Sequence, residues 1–194
     1  MAGAAGQVPE DGKSSPGLSL SDEVVALWPV TPAEYEFLFH CSVSEYNAAR
    51  WRYHGQVPDP ELFAQQLHQD VHAHFVVKNT EGTSVGYVVA YAANLRSRHV
   101  HVAALFAETA QQRQYGTRSL ALFIEYLFDV WDLNGVFAEV PEYTFAPIQS
   151  GSTHLQNALP FEIVGRRPRF HYQNGTYWDD YIVYLPVEVW RARK

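Results

Sequence analysis

Two pairs of histidines have a spacing that could bind a metal ion, and one of the pairs could also support proton transfer. His99 and His101 lie two residues apart at the start of the extended apolar run 100–107, so both should project from one face of a strand. A histidine can accept a proton near neutral pH, so this pair could take part in acid–base chemistry, with a satisfied histidine beside a polar groove as the alternative. The H-x-H spacing recurs at His72 and His74, and either pair could bind zinc, although no acidic or cysteine ligand lies nearby in the sequence.

A strand, a polar loop and a helix follow one another over residues 99–129. The apolar run leads into the polar loop 108–115, and Gly116 and Thr117 then begin a helical pattern. The apolar face of that helix would consist of Leu120, Phe123, Ile124, Leu127 and Phe128. Such a loop directs backbone amides and the positive end of a helix dipole at an anion. The segment is therefore either a phosphate-binding site or simply a βα unit.

The composition predicts one globular domain. The chain has 194 residues, of which 47% are hydrophobic and 18% charged, as suits an ordinary core. A net charge of −7 argues against binding nucleic acid through a broad basic face and mildly favours an amine-bearing partner. Cys41 is the single cysteine, and the sequence contains no secretory signal and no apolar stretch of the ~20 residues that span a bilayer. A cytoplasmic protein without membrane contact is expected.

The order of elements predicts an α+β fold with a mixed sheet. Residues 1–21 should form a disordered tail and residues 22–194 a single domain. Thr31 and Glu34 suggest a capping box at the start of the first helix. Further helical stretches are expected at 44–53, 58–69 and 150–158. Strands are expected at 24–30, 74–78, 85–93, 100–107, 136–140, 161–164, 169–173 and 181–184, with an Asn174-Gly175 hairpin turn.

The loop at residues 111–116 resembles the acyl-CoA pyrophosphate loop of the GNAT superfamily of N-acyltransferases, whose pattern is Q/R-x-x-G-x-G/A. Gln111 takes the first position and Gly116 the last, while Gln114 stands where the family usually has its first glycine. The helix start YGTRSLALFIEYLF is similar to that of the ribosomal-protein N-acetyltransferase branch. The resemblance implies a GNAT-type mixed, mostly antiparallel sheet flanked by helices, over about residues 24–188.

The resemblance also implies an activity, which is transfer of an acyl group, acetyl first of all, from acyl-CoA to a primary amine of a small molecule or peptide, without a metal. It places a backbone oxyanion contact at Phe106 or Ala107. The implied donor-binding set is Phe106, Ala107, Gln111, Gln112, Arg113, Gln114, Tyr115, Gly116, Thr117 and Thr144.

Candidate catalytic residues follow from the same resemblance. His101 falls where many members of that branch have an acidic residue pointing into the active site, which makes it a candidate general base, and Glu139 matches a glutamate that acts as base. Glu139 on the neighbouring strand could pair with His101, which would raise the pKa of the histidine and fix its tautomer. The usual general-acid tyrosine is replaced by Gln156, which leaves Tyr143 and His154 as the nearest substitutes.

Acceptor contacts are implied in two further regions. The early helical region of a GNAT fold shapes the acceptor site, and its candidates are Asn47, Arg50, Trp51 and Tyr53. The terminal hairpin resembles that of the family, with Arg166, Arg169 and Asp180 as structural or gate residues.

Three functions stay open at this point. One is an ordinary acyl-CoA-dependent enzyme, and a homodimer is among its expected assembly states. A second takes the acyl group from a carrier protein's phosphopantetheine or from an aminoacyl-tRNA, since Gln114 replaces a glycine that lets the backbone approach the pyrophosphate closely. The third is a non-catalytic α+β protein that binds a small molecule in an aromatic cavity.

Overall fold

A computed structural model describes residues 20–49, 51–110, 115–144 and 159–193. The strands are β1 (Val25–Pro29), β2 (Val71–Asn79), β3 (Ser84–Asn94), β4 (His99–Phe106), β5 (Gly135–Pro141), β6 (Glu162–Gln173) and β7 (Thr176–Pro186). The helices of these ranges are α1 (Tyr35–Val43), α2 (Pro60–Gln66), α3 (Tyr115–Val130) and α4 (Val187–Arg191).

The strands form one sheet in the order β1-β2-β3-β4-β5-β7-β6, in which β4 and β5 are parallel and every other pair is antiparallel. This confirms the expected α+β fold with a mixed, mostly antiparallel sheet. The parallel pair is short, because β4 and β5 are paired only from His99↔Gly135 to His101↔Phe137. Beyond these positions the two strands run on without pairing to each other, and a wedge opens between them.

Helices cover both faces of the sheet. Helix α3 buries the predicted face, with Phe123, Ile124 and Leu127 fully buried and Phe128 6% exposed. These side chains pack against alternate residues of the strands, among them Val100. Burying a side chain of this size stabilises a fold by about 1.5–3 kcal/mol. On the opposite face, α1 and α2 cover a second cluster formed by Leu38, Phe63, Val76, Tyr87, Val89 and Leu105.

The predicted capping box at the first helix is wrong. Thr31 makes no side-chain cap, and the chain instead enters α1 through a 3-10 turn, Pro32–Glu34. The Glu34 carboxylate accepts a hydrogen bond from Ser84 at 2.7 Å and pairs with Lys78 at 2.9 Å. Partners on two neighbouring strands thus replace the local backbone contact.

The expected helix at 44–53 is also wrong, since the described residues of this stretch form turns. Helix α2 lies within the expected range 58–69 but is shorter, and Oδ1 of its N-cap Asp59 accepts hydrogen bonds from the amides of Glu61 at 3.0 Å and Leu62 at 2.9 Å. The expected helix at 150–158 lies outside the described residues.

Two boundaries differ from the expectation. The strands expected at 161–164 and 169–173 form the single strand β6, and Asn174 and Gly175 make the predicted turn with φ of 51° and 78°. Leu20 and Ser21, assigned to the tail, contact β1, because the Leu27 amide donates to the Leu20 carbonyl at 2.7 Å.

Among the described helices, none has the length and apolarity needed to cross a membrane.

Candidate active site

A pocket of about 430 Å³ lies on the sheet face that carries α1 and α2, beside the wedge between β4 and β5. Its floor is formed by side chains that point from β3 and β4, namely Tyr87, Val89, Tyr91 and Ala103. Its sides come from the turn after α1, the start of β2, the end of β5 and the β6–β7 hairpin. The site therefore draws on six of the seven strands, β2 to β7.

The pocket wall combines aromatic and ionisable side chains. The aromatic ones are Trp51, Tyr87, Tyr91 and Phe170. The ionisable ones, besides the two tyrosines, are Arg52, His54, Asp70, Glu139, His171 and Asp180. Aromatic faces and carboxylates both attract an ammonium group, so this wall suits an amine with an apolar body.

Glu139 lines the pocket but does not pair with His101 as expected. Its Oε2 accepts a hydrogen bond from Arg167 Nη2 at 2.5 Å, and the side chain is 36% exposed. Arg167 also binds Asp180, which is fully buried and whose other oxygen lies 3.0 Å from Nε2 of His171. Four ionisable side chains from β5, β6 and β7 thus form one network, in which Oε1 of Glu139 has no described partner.

His101 stands next to this pocket. Its ring stacks on Phe137 at 5.5 Å and lies 5.6 Å from the ring of Tyr91, and His99 contacts Phe137 from 5.4 Å. The two histidines therefore share a face, as predicted. Burial lowers the pKa of His101 and outweighs the negative charge of Glu139, which acts in the opposite direction. The expected rise of this pKa is wrong, and the imidazole is neutral at pH 7.

Tyr143 and Thr144 lie shortly after the end of β5, on the β5 side of the wedge. The ring of Tyr143 lies 6.5 Å from that of His171 and 5.7 Å from that of Trp178, both on the β6–β7 hairpin. Thr144 Oγ1 donates a hydrogen bond to the carbonyl of Pro141 at 2.8 Å. Tyr143 is thus next to a pocket residue, while His154 and Gln156 lie outside the described residues.

The end of β4 offers one of the two expected backbone donors. The Ala107 amide donates to the Val85 carbonyl at 3.1 Å, so it is not available for an oxyanion. Successive amides of a strand point to opposite sides, and the amide of Phe106 therefore points into the wedge. Asn47, which is fully buried, holds this strand end by donating to the carbonyls of Phe106 at 3.0 Å and Cys41 at 2.9 Å. These hydrogen bonds position the strand end, and contact of Asn47 with an acceptor stays a prediction.

Tyr115, Gly116 and Thr117 form the first turn of α3, next to that strand end. The ring of Phe106 lies 3.5 Å from the position that a Cβ on Gly116 would take. Gln111, Gln112, Arg113 and Gln114 lie outside the described residues. Of the described residues in the predicted donor set, Gly116 thus lies beside Phe106, and the donor-binding role of the set stays a prediction.

Gly86 on β3 makes room for the Phe106 ring, and we expect Gly86→Ala to displace it. A Cβ at this position would lie 2.3 Å from Phe106 Cδ1 and 2.8 Å from the Leu105 carbonyl. Overpacking of this kind costs about 1–3 kcal/mol, which denaturant unfolding would measure. Gly116→Ala meets the same ring at an ordinary 3.5 Å and serves as the control. Equal stability of the two variants would contradict this account.

His72 and His74 lie on opposite faces of the sheet. A bulge in β2 between Val71 and Ala73 turns His72 towards Trp131, with ring centres 4.1 Å apart, while His74 contacts Tyr87 on the pocket side. In a strand without a bulge, residues two apart would share one face. Within the part of the chain that the structure describes, no cluster of three or more His, Cys, Asp or Glu side chains could hold a metal ion.

Some residues of the pocket, and Arg167 in the network behind it, gave no signal in the sequence. Arg167, His171 and Phe170 read as parts of a hairpin, because nothing local links them to Glu139 on β5. Tyr87 and Tyr91 alternate with Val89 along β3, which is equally typical of core packing.

The comparisons with known proteins agree with this architecture. No curated protein sequence matches the chain. Among solved structures, the spermidine N-acetyltransferase of Vibrio cholerae in complex with CoA and spermine is similar, with 17% identity, a TM-score of 0.73, and coverage of 86% of this chain and 98% of that one. The spermidine/spermine N-acetyltransferase SpeG from the same organism, in complex with manganese ions, gives 17% identity, a TM-score of 0.70, and coverage of 88% and 97%. At such identities the likeness shows the fold.

The family itself is shown by sequence. The sequence profile of the acetyltransferase (GNAT) family matches residues 41–146, more than half of the chain. That range contains the turn after α1, the pocket floor on β3 and β4, α3 and the end of β5. The chain belongs to the GNAT acetyltransferase family.

Proposed function

We propose that the protein transfers an acetyl group from acetyl-CoA to a primary amine held in the 430 Å³ pocket. GNAT acetyltransferases use acetyl-CoA as donor. The observation that carries the proposal is the position of Glu139. This carboxylate lies on one arm of the wedge where the donor would enter and also lines the pocket where an amine would sit.

The described residues fit the donor. Unpaired backbone of β4 and β5 borders the wedge, so main-chain groups are available to a pantetheine arm. The Phe106 amide would donate to the thioester oxygen as negative charge develops there. The first turn of α3, which includes Gly116, lies beside this point and would offer amides to the pyrophosphate.

The chemistry requires a proton to leave the acceptor before the amine attacks. Glu139 Oε1, which has no partner among the described residues, would take that proton from the ammonium group. The amine nitrogen then bonds to the carbonyl carbon, the carbon–sulfur bond breaks while the nitrogen loses its second proton to water, and the thiolate takes up a proton, so that one proton is released overall. We assign the last step to Tyr143 and a supporting role to His101, whose neutral ring lies beside Tyr91 at the pocket floor.

The acceptor is a primary amine on a small molecule or peptide. Structural neighbours are named for acetylation of spermidine and spermine, and the carboxylates of this pocket would suit an ammonium group equally. A closer relation to the ribosomal-protein branch, a homodimer and a cytoplasmic location all stay predictions from the sequence.

A donor tethered to a carrier protein or tRNA is a second candidate, favoured by Gln114 in place of the first loop glycine. If the side chain narrows the loop, free acetyl-CoA should bind weakly and Gln114→Gly should bind it more tightly, because a glycine lets the backbone approach the pyrophosphate. Calorimetry with acetyl-CoA measures both. Micromolar or tighter binding by the unchanged protein, with no gain in Gln114→Gly, would exclude the tethered donor.

The proposed activity is tested directly by incubating the full chain with acetyl-CoA and a panel of primary amines, and following free thiol and the mass of each amine. We expect release of CoA together with an amine that gains one acetyl group. Thiol release without an acetylated amine, or no reaction with any member of the panel, would contradict the proposal.

A further inference from the structure

A line of polar aromatic side chains runs from the protein surface to the pocket floor. The hydroxyl of Tyr35 lies 2.8 Å from Nε2 of His68, which is exposed at the end of α2. The His68 ring meets the His74 ring edge-on at 4.9 Å, and Nδ1 of His74 lies 2.8 Å from the hydroxyl of Tyr87. Tyr87 lines the pocket, so the four side chains link the outside of the domain to the proposed acceptor site.

The bulge in β2 creates this arrangement. Without the extra residue between Val71 and Ala73, His72 and His74 would share a face. With it, His74 alone is directed at Tyr87, and His72 contacts Trp131 on the other side of the sheet. The proposed chemistry gives His74 no role so far.

The direction of the hydrogen bond follows from burial. Tyr87 is 2% exposed, and burial raises the pKa of its phenol, so the hydroxyl keeps its proton and needs an acceptor. Burial, helped by the charge of His68, lowers the pKa of His74 to about 4, so its imidazole is neutral at pH 7 and can accept. Tyr87 therefore donates to Nδ1 of His74, and the proton of His74 resides on Nε2.

This direction decides what Tyr87 offers to a ligand. With its hydrogen committed to His74, the phenol oxygen has only lone pairs left for a ligand. It can accept a hydrogen bond from an N–H group and cannot donate one to a carbonyl or carboxylate. The side chain then distinguishes an amine from an anion of the same size.

We propose that Tyr87 is an acceptor-binding residue that takes a hydrogen bond from the amine, and that His74 is the positioning residue that fixes the direction of its hydroxyl. The proposal rests on the proposed amine acetyltransferase function. His68, anchored by Tyr35, holds the His74 ring in place from the surface side.

The test uses calorimetry and steady-state acetylation with two probes, 2-phenylethylamine and spermidine. A hydrogen bond to a charged group accounts for roughly a 10- to 100-fold change in affinity, so Tyr87→Phe should raise Kd and KM for the better probe by about that factor. His74→Phe should raise them in the same direction. The double variant should be no worse than Tyr87→Phe, because His74 acts only through Tyr87.

Two further variants separate positioning from packing. His74→Asn places an amide oxygen near the site of Nδ1 and should restore most of the affinity lost in His74→Phe. His72→Phe is the matched control, on the same strand but the opposite face, and should bind both probes as the unchanged protein does.

The outcomes distinguish this inference from the proposed function. Acetylation with an unchanged Kd in Tyr87→Phe, or additive losses in the double variant, would overturn the inference alone. Binding of a probe that depends on Tyr87 and His74 without any acetyl transfer would overturn the proposed function alone. No binding of either probe by the unchanged protein would overturn both.

Discussion

Glu139→Gln is expected to lower kcat by roughly 10²–10⁴-fold, the usual contribution of a positioned base, while the protein stays folded. The amide cannot take the proton of the ammonium group, yet its oxygen can still accept from Arg167, so the network with Asp180 is kept. Steady-state kinetics at saturating acetyl-CoA would measure the loss, and circular dichroism would verify the fold.

The pocket contains a matched control for this change. Asp70 lies at the start of β2, at the other end of the wall, and Asp70→Asn should change KM by a few-fold at most, because an exposed charge interacts weakly. His101→Phe keeps the stacking on Phe137 and should lose less than tenfold in kcat. A nearly active Glu139→Gln together with a His101→Phe that loses more than 10²-fold would assign the base to His101 instead.

Arg167→Met is expected to lower the free energy of unfolding by about 3 kcal/mol, because it leaves the fully buried carboxylate of Asp180 without its cationic partner. The aliphatic part of methionine retains the packing against Phe170, whose ring lies 3.8 Å from the guanidinium carbon. Urea unfolding at pH 7 would measure the loss.

Arg166→Met provides the comparison, since Arg166 is the neighbour in sequence and also pairs with an aspartate, Asp179. Its side chain is 60% exposed, so water screens the pair and a much smaller loss is expected. Equal losses in the two variants would mean that burial of Asp180 does not determine the effect.

The sequence predicted the fold well because periodicity and resemblance both act over long segments. The apolar stripe of α3 and the extended apolar run of β4 each contain enough residues to decide the element, and both are confirmed. The predictions were wrong where a side chain could bind either a local or a distant partner. Glu34 was predicted to cap a helix and instead binds Lys78 and Ser84 on two strands.

The candidate site was less predictable for the same reason. Glu139 was paired with His101 because they lie on neighbouring strands, but its carboxylate binds Arg167, 28 residues further along the chain. The position of His74 depends on a one-residue bulge in β2, and no local sequence pattern predicts that bulge. Contacts between distant segments and single-residue shifts of register are decided by tertiary structure.

The proposed donor and acceptor sides of the wedge between β4 and β5 depend on different parts of the chain, so sequence change should affect them differently. Main-chain groups border the side proposed for the donor, and main-chain groups persist when side chains are exchanged. Proteins at 17% identity can therefore retain this architecture. The acceptor side depends on side chains from the turn after α1 and from the β6–β7 hairpin, two surface segments that can change without disturbing the centre of the sheet. Grafting these two segments from a relative should thus transfer amine preference between enzymes while acetyl-CoA use stays constant.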